Sequence, residues 1–211
     1  MPTLVELAAD LAAGRTTSEE LVEGCLNRIA DPQGEGERTY LQVDADAVRE
    51  AARAMGALRH AGAEPSPYAG IPVSVKDIFD VRGQVTRAGS RVLEGTPAKR
   101  DAASVASWRR AGLVVVGRTN MTEFAFSGLG INPHYGTPAN PWDRERRRIP
   151  GGSSSGAVVS VADEMAHGAL GSDTGGSCRI PAALCGLVGF KATQARVSRD
   201  GMVPLSPTSG I

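Results

Sequence analysis

Residues 150–191 read PGGSSSGAVVSVADEMAHGALGSDTGGSCRIPAALCGLVGFK, and the interpretation of the chain depends on this stretch. It contains two turns rich in glycine and serine, GGSSSG at 151–156 and GSDTGGS at 171–177. Glycine lets the backbone adopt positive φ and approach a ligand closely, so such turns can present N–H groups to a substrate. Their hydroxyls are candidate nucleophiles, but a serine hydroxyl is a weak nucleophile without a base. The stretch therefore predicts a site whose base lies elsewhere in the chain.

Length and charge limit the classes of protein that fit this sequence. The chain has 211 residues, with 23 basic and 23 acidic side chains and no formal net charge. This balance gives no electrostatic case for binding nucleic acid or a membrane surface. Glu6 and Asp10 interrupt the first apolar residues, and no apolar run approaches the ~20 residues of a membrane span. We therefore expect a cytoplasmic α/β protein.

Cysteine and histidine usage bears on metals and disulfides. The three cysteines, Cys25, Cys178 and Cys185, have no CxxC spacing, and the three histidines are widely separated. This pattern predicts neither a disulfide framework nor a zinc site. We expect no metal and no cofactor.

The apolar patterns and turn signals predict alternating helices and strands. Helices are expected over residues 3–13, from a capping box at 17–20 to about residue 30, and over 45–60, 102–111, 119–126 and 154–164. Strands are expected over 70–77, 113–117 and 166–170. The segment 128–141 is predicted to be a loop, and the RERRR run at 144–148 a solvated loop in preference to a tRNA contact.

The base can be sought among histidines and lysines. The GSSSG at 152–156 fits the nucleophile elbow of α/β-hydrolases, but RRRIP precedes it in place of a strand, and only His167 follows it. A histidine base is therefore poorly supported. Lys76 lies at the end of the predicted strand 70–77, where burial would lower its pKa toward the ~7–8 that a general base needs. Ser–Lys pairs are an accepted catalytic variant. For Lys76 taken alone an ion pair with Asp77 is favoured, but together with the two serine-rich turns a catalytic base is the favoured interpretation.

Three segments together resemble the amidase signature family: GIPVSVKD at 70–77, PGGSSSG at 150–156 and GSDTGGSCRIPAALCGLVGFK at 171–191. They occur in the family's order, with the family's spacing between Ser153 and Ser177, and the resemblance covers residues 4–208. It implies an α/β fold with a mixed central β-sheet flanked by helices on both faces. It also implies hydrolysis of a carboxylic amide to an acid and ammonia or an amine.

The resemblance implies a Ser-cisSer-Lys triad. Ser177 matches the nucleophile, which would form an acyl-enzyme. Ser153, preceded by a cis peptide bond from Gly152, matches the serine that bridges nucleophile and base. Lys76 matches the base, which would take the Ser177 proton through Ser153.

Other residues of the two turns match the oxyanion hole or supporting positions. The implied oxyanion-hole donors are the backbone N–H groups of Thr174, Gly175, Gly176 and Ser177. The loss of one such donor typically costs about 3–4 kcal/mol of transition-state stabilisation. The residues expected to support the site by hydrogen bonding are Ser154, Asp173 and Arg179. Cys178, beside the nucleophile, is expected to be a packing residue.

The resemblance also affects the domain prediction. Enzymes of this family are longer, and their second half completes the sheet and much of the acyl pocket. Residues 207–211 end the chain without a predicted helix or strand. We therefore expect one amidase signature domain over residues 1–211, incomplete at its C-terminus.

Three functions stay open at this point. An amidase is the leading hypothesis. The A subunit of a glutamyl-tRNA(Gln)/aspartyl-tRNA(Asn) amidotransferase would use the same triad to release ammonia from glutamine. The segment 123–133 lacks the MGSSTEN run associated with that protein, and Ile180 stands where it often has Gln, so both favour the amidase. The third option is a catalytically inert fragment.

The expected partner is a small-molecule amide. We expect no membrane contact, and no nucleic acid unless the chain is part of an amidotransferase. A homodimer is one option for its assembly.

Overall fold

The computed structural model describes residues 2–206, so the predicted abrupt end at 207–211 lies outside the described residues. The helices are α1 Leu4–Ala12, α2 Ser18–Ala30, α3 Gly36–Thr39, α4 Ala45–His60, α5 Ala103–Arg110, α6 Ser155–Ala162 and α7 Arg179–Leu184. The strands are β1 Tyr40–Val43, β2 Pro72–Lys76, β3 Val114–Thr119 and β4 Gly168–Leu170. In the part of the chain that the structure describes, no helix is both long enough and apolar enough to cross a membrane.

Capping boxes define where the first two helices begin. The Thr3 side chain accepts a hydrogen bond from the Glu6 N–H, and the Glu6 carboxylate accepts one from the Thr3 N–H. Thr17 and Glu20 form the same reciprocal pair at the start of α2. Each pair satisfies N–H groups that have no partner within the helix, and a cap of this kind is worth about 1 kcal/mol. Both helices begin where the sequence predicts.

The four strands form one mixed sheet in the order β1-β3-β2-β4. β2 runs parallel to β3 and β4, whereas β1 is antiparallel to β3. Lys76 pairs with Thr119, so β2 and β3 end together, and β4 ends at Leu170, directly before the second serine-rich turn. The carboxyl ends of parallel strands are where α/β folds collect functional groups. Lys76 and the start of the second turn therefore lie together at the edge of the sheet where the parallel strands end.

Helices cover both faces of this sheet, which confirms the predicted fold class. Val114 and Val116 of β3 join one buried cluster with side chains from α2, α4 and α6. Val115, between them, packs against a second cluster that contains Val75 of β2 and Val105 of α5. Successive strand residues point to opposite faces, so this alternation requires an apolar layer on each side.

Several local predictions need correction. The helix predicted over 119–126 is wrong: β3 continues to Thr119, and only a 3₁₀ turn forms at Glu123–Ala125. Phe124 and Ala125 have φ of 50° and 60°, which an α-helix excludes. Three short elements, β1, α3 and α7, were not predicted from the sequence. The RERRR run lies in a loop as predicted, with a 3₁₀ turn at Arg144–Arg146.

Candidate active site

Lys76 is the last residue of β2 and is fully buried, with 0% of its surface exposed. Its Nζ forms hydrogen bonds with three hydroxyls: Ser153 Oγ at 2.7 Å, Ser154 Oγ at 3.0 Å and Ser172 Oγ at 2.8 Å. Asp77 does not pair with Lys76, because its carboxylate binds the Arg118 guanidinium at 2.7 Å. Both serine-rich turns therefore converge on the lysine through neutral hydroxyls.

Burial is the main cause of the unusual pKa of Lys76. It lowers the pKa from 10.5 to about 7, because a buried ammonium loses its hydration. Cys178 and Asp173 act in the opposite direction, but their effect is smaller. Near pH 7 a substantial share of the amine is neutral. A neutral amine in contact with a hydroxyl can accept its proton, as a general base must.

The first serine-rich turn is held from both sides. The peptide bond between Gly152 and Ser153 is cis, as the resemblance implied. The Gly152 N–H donates to the Gly128 carbonyl at 2.8 Å, and the Ser153 carbonyl accepts from the Thr122 N–H at 3.0 Å. Ser153 is fully buried, so its hydroxyl reaches Lys76 without competing water.

Gly156, in the first turn of α6, lets this helix approach the end of β3. A Cβ at this position would lie 2.5 Å from the Thr39 carbonyl oxygen and 2.6 Å from the Asn120 nitrogen. Cβ atoms are essentially never found that close to backbone atoms, so only glycine fits. The close approach places the serines that precede α6 next to the end of β2.

Asp173 organises the second turn as a hydrogen-bond acceptor. Its carboxylate accepts from the N–H groups of Gly176, Cys178 and Arg179 at 2.8, 3.2 and 3.3 Å. It also accepts from the Arg179 guanidinium at 2.8 and 2.9 Å. Burial works to raise the pKa of Asp173, but the hydrogen bonds from Arg179 and from the backbone outweigh it and lower the pKa to about 2. The carboxylate is therefore ionised at neutral pH, and the loop from Asp173 to Arg179 folds around it through these hydrogen bonds.

The structure shows which of the four implied oxyanion-hole N–H groups already have an acceptor. The Gly176 N–H donates to Asp173 at 2.8 Å, so it is not available to a ligand in this structure. The N–H groups of Thr174, Gly175 and Ser177 have no backbone or side-chain acceptor among residues 2–206. These three donors are the ones that a developing negative charge could use.

Ser177 is half-buried, and its backbone connects it with the first serine-rich turn. Its backbone carbonyl accepts a hydrogen bond from the Ser154 N–H at 3.3 Å, which ties the two turns together. Within the described residues its hydroxyl makes no hydrogen bond to Ser153. The structure thus brings Lys76, Ser153 and Ser154 into direct contact and leaves the last step of the implied relay unbridged.

Cys178, next to Ser177, is a free thiol. Burial raises its pKa, so the thiol is protonated at neutral pH and is a poor nucleophile. This supports its expected role as a packing residue.

Sequence reasoning missed two features of the site. Ser172 contacts Lys76 as closely as Ser153 does, and its place just after β4 could have indicated this, because β4 runs parallel to β2. The Asp77–Arg118 ion pair is also buried, with 3% and 1% of the two side chains exposed. No local pattern in the sequence marks Arg118 as a buried cation.

Comparisons with known proteins place these features in a family. A family model described as "Amidase" matches residues 20–210. The A subunit of the glutamyl-tRNA(Gln) amidotransferase of Acidothermus cellulolyticus is 47% identical over 206 residues, which is 97% of this chain and 40% of that protein. The chain thus spans about two fifths of the length of the curated relatives it matches.

Solved structures of amidases share the fold. A crystal structure titled as an amidase superimposes with a TM-score of 0.88 at 38% identity, covering 96% of this chain and 46% of that one. The peptide amidase of Stenotrophomonas maltophilia gives a TM-score of 0.85 at 37% identity, with 96% and 42% covered.

Proposed function

The chain belongs to the amidase family, and we propose that it hydrolyses a carboxylic amide to an acid and ammonia or an amine. The observation that carries this proposal is the contact between the buried Lys76 Nζ and Ser153 Oγ, at 2.7 Å. A lysine with a pKa of about 7 can serve as a base at neutral pH, which an ordinary lysine cannot. The reaction is a proposal for this chain, since the chain spans only part of its relatives' length.

In the proposed reaction Ser177 is the nucleophile. The Ser177 hydroxyl, which makes no hydrogen bond to Ser153 in the structure, first turns within reach of it. Its Oγ then bonds to the amide carbon while its proton passes to Ser153, whose own proton passes to the neutral amine of Lys76. The carbonyl oxygen becomes an oxyanion, which accepts hydrogen bonds from the free N–H groups of the second turn. The C–N bond then breaks, and the nitrogen leaves with a proton returned from Lys76 through Ser153.

The first half of the proposed reaction thus produces an acyl-enzyme, in which the acyl group is bound to Ser177. Water then attacks the ester carbon, and the same relay removes the proton of the water. Ser177 leaves as the alcohol and the acid is released, so each cycle consumes one amide and one water and regenerates the enzyme. Ser154 and Ser172 hold Lys76 in place through their hydroxyls, and Asp173 with Arg179 holds the loop that presents the N–H groups.

The proposal is tested by labelling the 211-residue chain with a fluorophosphonate and mapping the modified peptide. We expect the adduct on Ser177, no adduct in Ser177→Ala and strongly slowed labelling in Lys76→Met. Ser198→Ala, which removes an exposed serine, serves as the matched control and should label like the parent chain. A folded chain that takes no label on Ser177 would contradict the proposal and favour the inert alternative.

A second candidate is the A subunit of a tRNA-dependent amidotransferase. It is supported by the 47% identity to a protein with that name. The absence of the MGSSTEN run in 123–133 and the presence of Ile180 favour the amidase. Co-purification with B and C subunits, together with turnover that requires glutamine and tRNA, would establish the amidotransferase.

Two further expectations stay predictions. These are the cytoplasmic location and the option of a homodimer. Cell fractionation and analytical ultracentrifugation of the purified chain test them directly.

A further inference from the structure

A buried ion pair lies beside the proposed base, and the proposed reaction gives it no role. Asp77 follows Lys76 in the sequence, and Arg118 lies opposite Val75 in the neighbouring strand β3. Arg118 Nη2 is 2.7 Å from Asp77 Oδ1, and 1% and 3% of the two side chains are exposed. A buried ion pair is often no more stable than apolar residues of similar volume, so stability alone does not explain this pair.

Both oxygens of the Asp77 carboxylate have donors other than the lysine. Oδ1 accepts a hydrogen bond from Arg118 Nε at 2.8 Å, and Oδ2 accepts one from the Gly89 N–H at 3.0 Å. Arg118 Nη2 also donates to Thr86 Oγ1 at 3.4 Å, and Thr86 in turn donates to Asp80 at 2.7 Å. The carboxylate is therefore held by Arg118, while the lysine amine contacts the hydroxyls of the two serine-rich turns.

Other titratable groups near β2 come from several elements. Burial raises the pKa of Cys25 in α2 to about 12 and also raises that of Tyr40 in β1, so both are neutral near pH 7. The helix α6 and the strand β4 contain no charged side chain. Cys178 and Asp173 act to raise the pKa of Lys76, and burial outweighs them. A further negative charge next to the lysine would add to their effect.

We propose that Arg118 is a positioning residue for Lys76, because it binds the Asp77 carboxylate and so withholds that negative charge from the lysine amine. Consecutive Cα atoms are only about 3.8 Å apart, so an unpaired carboxylate at Asp77 would act on the amine at short range. In a buried region such a charge favours the ammonium form, which cannot accept a proton. The catalytic meaning of this inference rests on the proposed amide hydrolysis, whereas the titration of Lys76 is measured without turnover.

The titration of Lys76 tests the inference directly. The sequence has three lysines, so ¹³C labelling of the lysine ε-carbons gives few NMR signals, and Lys76→Met identifies the signal of Lys76. We expect a midpoint at about pH 7 in the parent chain. Arg118→Met should raise the midpoint by about one pH unit, as expected for a charge roughly 8–10 Å away at an effective dielectric constant of about 20.

Three variants and a control complete the design. Asp77→Asn leaves the Arg118 cation unpaired and should lower the midpoint, whereas the double variant Asp77→Asn/Arg118→Met removes both charges and should return it to the parent value. Arg118→Lys retains a cation beside Asp77 and should stay near the parent. Arg15→Met breaks the exposed pair with Asp10 and should leave the midpoint unchanged. Circular dichroism checks that each variant is folded.

The direction of the shifts separates this inference from a structural role. If the pair only maintained the fold, loosening it would hydrate Lys76 and raise the midpoint in Arg118→Met and in Asp77→Asn alike. An unchanged or lower midpoint in a folded Arg118→Met would overturn the inference. If that variant does not fold, Asp77→Asn decides, and an unchanged or higher midpoint there would overturn it.

Two further outcomes complete the test. A double variant whose midpoint stays displaced as far as that of a single variant would also overturn the inference. Opposite shifts in the two single variants, found in a chain that gives no Ser177 adduct and no turnover, would leave the inference standing and contradict the proposed function.

Discussion

Lys76 Nζ and Ser153 Oγ lie 2.7 Å apart, although 77 positions separate the two residues in the sequence. Both residues are fully buried, and the lysine has hydroxyl partners in place of a carboxylate. A carboxylate partner would hold the lysine in its charged form, whereas hydroxyls let it lose the proton near pH 7. The contact therefore combines proximity to Ser153 with a pKa of Lys76 that suits the proposed general base.

The first prediction concerns activity. Lys76→Met retains an unbranched side chain of similar length but removes the amine that is the proposed base. We expect kcat/KM to fall by about 10²–10⁴-fold. In the parent chain kcat/KM should rise with pH through about 7, as Lys76 becomes neutral. Lys99→Met, at an exposed lysine, should retain both the rate and the pH profile. Near-full activity of Lys76→Met at neutral pH would show that the assigned relay is wrong.

The second prediction concerns stability against pH. Between the folded pKa of about 7 and the ordinary value of 10.5, the unfolded chain binds a proton at Lys76 that the folded chain does not. The free energy of unfolding should therefore rise with pH in this window, by up to about 1.4 kcal/mol per pH unit. Lys76→Met should flatten this slope. Urea unfolding between about pH 7 and 8.5 measures it in both chains.

The upper limit of that pH range follows from two buried thiols. Burial raises the pKa of Cys25 and Cys185 to about 12, so above about pH 9 their ionisation favours the unfolded chain. Their contribution opposes that of Lys76 and, like that of Cys178, whose pKa burial also raises, it is the same in the parent chain and in Lys76→Met. The difference between the two slopes therefore isolates Lys76. Identical slopes for the parent chain and Lys76→Met would contradict a lowered pKa for Lys76.

The third prediction concerns the Asp173 acceptor. In Asp173→Asn the N–H donors of the loop lose an ionised partner, and an amide N–H₂ faces some of them. We expect the free energy of unfolding to fall by about 2–3 kcal/mol and amidase activity to fall by more than about tenfold. Asp10→Asn breaks the exposed pair with Arg15 and should cost less than about 1 kcal/mol. If both variants lose equal stability, Asp173 does not organise the loop.

The fourth prediction concerns Gly156 of α6. Glycine in a helix interior is usually about 1 kcal/mol less favourable than alanine. Gly156→Ala should nevertheless destabilise the chain by about 1–3 kcal/mol, because the new Cβ would overlap the Thr39 and Asn120 backbones. Gly24→Ala in α2 meets only the Arg28 guanidinium at 3.4 Å and should be neutral or stabilising. Denaturant midpoints of the two variants decide the comparison, and a stabilising Gly156→Ala would contradict the close approach.

Residues with strong local signals were predictable from the sequence. Thr17 has a glutamate three positions later, so the start of α2 followed from its capping box, whereas α1 was predicted from the spacing of its apolar residues. The apolar runs of β2 and β3 also identified strands buried on both faces. The position of Lys76 at the end of a buried strand pointed to a shifted pKa before any geometry was known.

Features that depend on tertiary contacts were not predictable. β1 has four residues and lies at the sheet edge in an antiparallel pair, so its pattern is too short to identify a strand. Phe124 adopts positive φ in a segment whose composition suits a helix, because the chain must turn there after β3. The commitment of the Gly176 N–H to Asp173 depends on how the loop folds back on itself, and no spacing rule indicates it.

The sequence separations around Lys76 also concern the synthesis of the protein. Ser153, Ser154 and Ser172 lie 77, 78 and 96 positions after the lysine. A ribosome must therefore translate past Ser172 before Lys76 can gain its full set of partners. Before the lysine is buried, we expect its amine to be hydrated and charged at neutral pH. The burial of Lys76 thus reports on completed long-range assembly of the nascent chain, and an amine-reactive probe should label Lys76 before that event and be excluded from it afterwards.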